Sequence, residues 1–133
     1  MNEKTELIIK DLDSQESRVV AESAVKLLDS KKARNIRLYH VSEQTVVADY
    51  YVICEGNVRT QIHAMADELE MRFAEAGLSP LHIDGRDSDS WVLLDYGSVM
   101  VHIMVRDARE FYNIEKLWDS SCEVDISRLV QPD

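Results

Sequence analysis

The chain has 133 residues, 45% of them apolar and 30% charged, with only 4 Gly, 2 Pro and 2 Cys. That is one domain by length, able to bury about two-thirds of its unfolded surface without disulfide or metal staples, and too apolar for wholesale disorder. Its 15 basic and 25 acidic residues give a net charge of −10, which repels a phosphate backbone at long range and suits a basic protein partner or, equally, solubility alone.

The imbalance is local. Residues 1–34 carry seven charges of each sign, so residues 35–133 hold the whole excess. No run of 18 apolar residues exists, which argues against a transmembrane helix. The N-terminus mixes both charge signs and has no apolar signal-peptide region. Cys54 and Cys122 follow no paired spacing. A reducing cytoplasm is the expected setting.

In chain order, residues 1–16 read as a mobile leader with an apolar spot at Leu7, Ile8 and Ile9. Ala21, Ala24, Val25 and Leu28 recur at helical spacing, which predicts a helix over 17–32 with Ser17 as N-cap. Residues 35–41 alternate as a half-buried strand. Residues 46–48 and 50–54 are continuously apolar, as in a strand covered on both faces, until Gly56-Asn57 breaks it. Ile62, Met65, Ala66, Leu69 and Phe73 form the stripe of a helix over 58–76, with Gly77 as its C-terminal stop. A short strand at 81–83 and a polar turn at 84–90 follow. Residues 91–94 and 98–105 read as a hairpin around Asp95-Tyr96-Gly97. Residues 108–118 read as a third helix, and 119–133 as a loosely held acidic tail. The order α-β-β-α-β-β-β-α predicts a single-domain α/β fold with a mixed sheet covered by helices.

Motifs that carry chemistry are mostly lacking. No Walker loop, dinucleotide fingerprint, GxSxG elbow or HExxH helix is present. Cys54 ends the most apolar strand and reads as a small hydrophobe. His40, His63, His82 and His102 are scattered, and no spacing makes them metal ligands. His102 shares a strand face with Met100 and Met104, which reads as a core or interface histidine. Asp84, Asp87 and Asp89 are the densest carboxylates. They lack the central glycine and closing glutamate of a calcium loop, so a solvated turn is favoured over a metal- and nucleotide-using enzyme. Aromatic residues gather at strand starts, at the hairpin and on the last helix. Each alone reads as ordinary core material, but Trp91 follows a polar turn and Tyr96 sits at the hairpin tip, where surface contact and core are evenly matched.

Three segments carry a resemblance. DYYVICEGNVRTQIHAMADEL (49–69), WVLLDYGSVMVHIM (91–104) and REFYNIEKLW (109–118) occur in order and nearly contiguously. With the preceding helix and strand, residues 17–119 resemble the ribosomal silencing factor family, RsfS, also called the iojap family. Ser98 stands where the family commonly has an acid. Glu55 and Val58 stand where it commonly has small or hydroxyl residues.

The resemblance implies a scaffold similar to nucleotidyltransferases without their catalytic residues, with no enzyme activity, cofactor or metal. It implies a cytoplasmic protein that binds the large ribosomal subunit through a small basic ribosomal protein of the L14 type, at the intersubunit face. Bound there, it would block small-subunit joining and lower translation when nutrients are scarce. A role in large-subunit biogenesis and a homodimer also fit the family. The matched positions imply a contact made by Trp91 as apolar anchor, Asp95 as partner of a Lys or Arg, and Tyr96. Asp84 and its turn would extend the acidic rim. His102 and Tyr112 would be interfacial or structural, Trp118 structural, and Gly56 would serve a backbone turn.

Overall fold

The computed structural model describes residues 16–131, so all but the last residue of the expected leader lies outside the described part. Helix α1 (Ser17–Ser30) presents Val20, Ala21, Ala24, Val25 and Leu28 on its buried side. It starts after Glu16 with no side-chain cap, so Ser17 is its first residue and not its N-cap. Strands β1 (Arg34–His40) and β2 (Tyr50–Gly56) pair antiparallel. Residues 46–48, expected to lead into β2, instead belong to the connecting loop, where Val46 is fully exposed. Continuous apolar character does not distinguish a buried strand from an exposed apolar loop.

Helix α2 (Arg59–Glu75) buries Ile62, Met65, Ala66, Leu69 and Phe73. Gly77, at φ 92°, ends it. The Gly77 N–H donates to Ala74 O, and the Leu78 N–H donates to Phe73 O. These two bonds close the last turn as a Schellman motif, which requires left-handed backbone at the glycine. β3 (His82–Asp84), β4 (Trp91–Asp95) and β5 (Val99–Val105) follow, with β4 and β5 forming the expected hairpin.

The third helix is shorter than its sequence pattern. α3 spans Arg106–Tyr112, and Asn113 at φ 46° turns the chain into a 3-10 segment over Ile114–Leu117. Asn is among the few non-glycine residues that enter the left-handed region readily.

The expected loose tail is not what the structure shows over residues 120–131. Glu123–Val124 forms β6, pairing antiparallel with β1. Leu129 is buried in the core, and the Gln131 N–H donates to Asp29 on α1. Its high polar content hid this docking, since two strand residues and one buried leucine leave no periodic signal.

The six strands form one sheet in the order β3-β4-β5-β2-β1-β6. Only β2 and β5 run parallel, which makes the sheet mixed. α1 and α2 cover one face, packing on Leu38, Val52, Cys54, Leu94, Val99, Val101 and Ile103. On the other face Ile53 and Met104 pack with Tyr39, Val41 and Ala108, under Ile114, Trp118 and Cys122. Both faces of β2 are therefore covered, as its sequence predicts.

Candidate interaction surface

Strand alternation sends every second residue to the face away from α1 and α2. On β5 these residues are Met100, His102 and Met104. Their partners across the ladder are Asp95, Leu93 and Trp91 on β4, and Tyr51, Ile53 and Glu55 on β2. His82 and Asp84 on β3 lie opposite Asp95 and Leu93 and continue the same face to the sheet edge. α3 and the 3-10 segment cover only one end of it. Met104 and Ile53 are fully buried, whereas Met100, Leu93, Tyr51 and Asp95 are only half-buried.

An aromatic cluster marks the border between the covered and open ends. Trp91 lies 5.0 Å from Tyr112 and 5.7 Å from His102 between ring centroids. Tyr51 stacks on His102 at 5.1 Å and meets the edge of Trp118 at 4.8 Å. Phe111 packs edge-on to Tyr112 at 5.0 Å and is 81% exposed. Tyr112 and Leu117 are also exposed. Aromatic side chains with apolar neighbours at the rim of a half-covered sheet form the kind of patch that marks a protein contact.

His102 is the buried post of this cluster. The Trp91 Nε1–H donates to His102 Nδ1 at 3.0 Å, so the neutral ring carries its proton on Nε2. Nε2 is buried without a partner among the described residues. Burial lowers the imidazole pKa to about 4, so the ring is neutral near pH 7. Trp91 is thus held by its polar end while its indole body remains partly accessible.

Asp95 is partly committed. One of its oxygens accepts the Gly97 N–H at 2.7 Å and closes the hairpin turn. Its charge still reaches Tyr51, whose hydroxyl pKa is raised first by burial and then by Asp95. Asp84 is exposed at the sheet edge, 2.7 Å from His82 Nε2. Trp91, Asp95, His102, Tyr112 and Asp84 therefore share one side of the molecule.

Tyr96 does not join them. It is buried on the opposite side, tilted against Phe73 of α2 at 5.1 Å. Its hydroxyl has no partner among the described residues, and burial raises its pKa. Its neighbour Asp95 points to the open face, and a strand sends consecutive side chains to opposite faces. The expectation of a surface contact at Tyr96 is corrected on this ground. As contact residues, Phe111, Leu117, Leu93 and Met100 go beyond those the sequence proposes. For the last two, alternation from His102 and Trp91 was the available signal.

Behind the surface lies a buried ion network. Arg109 donates from Nη1 to Glu55 at 3.0 Å and to Asn35 O at 2.7 Å. It also forks onto Glu115 through Nε at 2.8 Å and Nη2 at 2.9 Å. The Tyr39 hydroxyl donates to Glu115 at 2.8 Å. Arg109 holds the Glu115 pKa below the ordinary glutamate value despite burial. The network ties α3 and the 3-10 segment to β1 and β2, so it fixes the platform that carries Phe111 and Tyr112.

The densest carboxylates of the sequence, Asp84, Asp87 and Asp89, do not share one partner. Asp89 pairs with Arg59 while Asp84 pairs with His82. Among the described residues no group of three His, Cys, Asp or Glu side chains could hold a metal. Cys54 is fully buried, which pushes its thiol up to about 12. Among the described residues, no helix is long and apolar enough to cross a membrane.

Fold and surface define a small mixed α/β domain with a half-covered sheet face bordered by exposed aromatic side chains. The family model described as ribosomal silencing factor during starvation matches residues 14–133. The ribosomal silencing factor RsfS of Halalkalibacterium halodurans is 35% identical over 107 residues, spanning 80% of this chain and 92% of that protein. The mouse mitochondrial assembly of ribosomal large subunit protein 1 is 34% identical over 97 residues, 71% of this chain and 42% of that protein. A crystal structure of a Chromobacterium violaceum protein superposes with a TM-score of 0.76 at 28% identity, covering 86% of this chain and 98% of that one. The chain belongs to the ribosomal silencing factor family, a family of ribosome-associated regulators of translation.

Proposed function

We propose that this chain binds the large ribosomal subunit through a basic ribosomal protein of the L14 type and blocks small-subunit joining by its volume. The half-covered face around Trp91 and Tyr112 carries this reading. It offers apolar anchors beside acidic side chains at Asp95 and Asp84. A protein contact needs such a desolvated centre, and a basic partner needs an acidic rim. The mouse relative, named for assembly of the large ribosomal subunit in mitochondria, points to the same particle. Blocking requires only affinity and bulk, so no turnover enters the mechanism. The net charge of −10 steers the domain towards a basic protein and away from exposed ribosomal RNA.

Co-sedimentation with isolated large and small subunits at two salt concentrations tests the reading. The expected result is binding to the large subunit alone, weakening with salt, together with loss of subunit joining. Asp95→Asn keeps the acceptor for the Gly97 N–H and removes only the charge, so it should weaken binding with the fold intact. Binding to neither subunit would sink the proposal, and so would binding indifferent to changes at Phe111, Tyr112 and Asp95.

A further inference from the structure

The side chains not absorbed by the contact face include a concentration of cations. A cleft of about 1840 Å³ opens where the parallel strands β2 and β5 end, between the start of α2, the start of α3, the end of α1 and the C-terminal segment. Lys26, Lys32, Arg34, Arg59, Arg106 and Arg128 line it. Among the described residues four carboxylates do: Asp29, Glu55, Asp89 and Asp107. Glu55 is paired from within the fold with Arg109, which it shares with Glu115. In a chain with ten more acids than bases, chance placement would give the opposite ratio.

The cations differ in availability. Arg59, Arg106 and Arg128 have carboxylate partners in Asp89, Glu110 and Glu22. Lys26, Lys32 and Arg34 form no side-chain ion pair among the described residues. Among the described residues only Asp29 and Asp107 face these three cations as carboxylates without an ion pair, so the recess keeps a positive excess that favours an entering anion. α2 also begins here without a side-chain cap, and the crevice beyond the carboxyl ends of parallel strands is where open α/β sheets take ligands.

We propose that this cleft is a binding site for a compact, multiply charged phosphate chain, such as the di- or triphosphate of a nucleotide. Three observations select that chemistry over a nucleic-acid strand. The cations come from separate elements around a recess, which suits a compact anion. No Phe, Tyr or Trp lines the cleft, so it has no platform on which successive bases would stack. The chain's excess negative charge repels a long polyanion, most of whose charges would lie outside the recess. The site should therefore read the phosphates and be indifferent to the base. It is separate from the Trp91–Tyr112 face, so it stands or falls independently of ribosome binding.

The test is titration of the full chain with inorganic tripolyphosphate, followed by thermal melting and by backbone amide NMR at fixed ionic strength. The expected result is a saturable rise in Tm that sulfate does not reproduce. Amide shifts should concentrate at residues 32–35, 57–60 and 105–107. ATP and GTP should bind within a few-fold of each other. Lys32→Glu combined with Arg34→Glu, both exposed positions, should weaken binding by at least about tenfold with an unchanged circular dichroism spectrum. Absence of a saturable shift, or shifts mapping elsewhere, would overturn the proposal. So would tighter binding of a single-stranded RNA oligomer in the same cleft, which would make the site one for a nucleic-acid backbone.

Discussion

His102 shows how one buried side chain links stability to the contact face. Its folded pKa lies near 4 because the ring is buried, below the ordinary value of about 6.5. Between these values the unfolded chain binds a proton that the folded chain does not. Stability is therefore complete above about pH 6.5 and falls as pH drops towards 4, by ~3 kcal/mol in all. Urea melts at pH 7 and pH 4.5 should show this loss, and His102→Gln should remove most of the difference. An unchanged slope in the variant would assign the loss to other groups. Arg109 is the second decisive residue, because it is 7% exposed and holds two carboxylates. Arg109→Met leaves Glu55 and Glu115 without their cation and should cost about 3–5 kcal/mol in chemical denaturation.

At the scale of elements, the β2–α2 junction depends on a close approach. Gly56 does not have a left-handed φ, so it does not serve the turn that its place in the motif suggested. A Cβ there would instead sit 2.8 Å from Ile62 Cγ2 on the first turns of α2. Gly56→Ala should therefore destabilise by about 1–3 kcal/mol through overpacking, read as a lower denaturation midpoint at constant slope. The C-terminal segment makes the opposite point. Leu129→Ala should cost about 2–5 kcal/mol if the segment is part of the core, whereas a loose tail would show no change. Helix periodicity identified α1 and α2, because each repeats an apolar stripe for three turns or more. It overran α3, because Ile114, Leu117 and Trp118 continue the apolar spacing after Asn113 has left the helix.

At the scale of the whole molecule, charge and apolar surface are segregated. One face gathers exposed aromatics beside Asp95 and Asp84, and the ends of β2 and β5 gather cations. Replacing Phe111 and Tyr112 together by Ser removes exposed anchors that the core does not need. Large-subunit affinity should fall by at least about tenfold, or ~1.4 kcal/mol, with the melting temperature little changed. Sedimentation at both salt concentrations checks this.

The α/β class, the two long helices, the hairpin and the family are legible in the chain alone, since periodicity, turn residues and ordered motifs are local properties. The sequence also brings out Trp91, Asp95, Asp84, His102 and Tyr112. That these five share a face while Tyr96 lies beneath α2 follows from the folded sheet. Their common side depends on strand register across β2, β3, β4 and β5, which no local pattern encodes. The docking of residues 120–131 and the gathering of six cations at one cleft arise in the same way. Both join residues far apart in sequence, and only the closed sheet brings such residues within reach of one another.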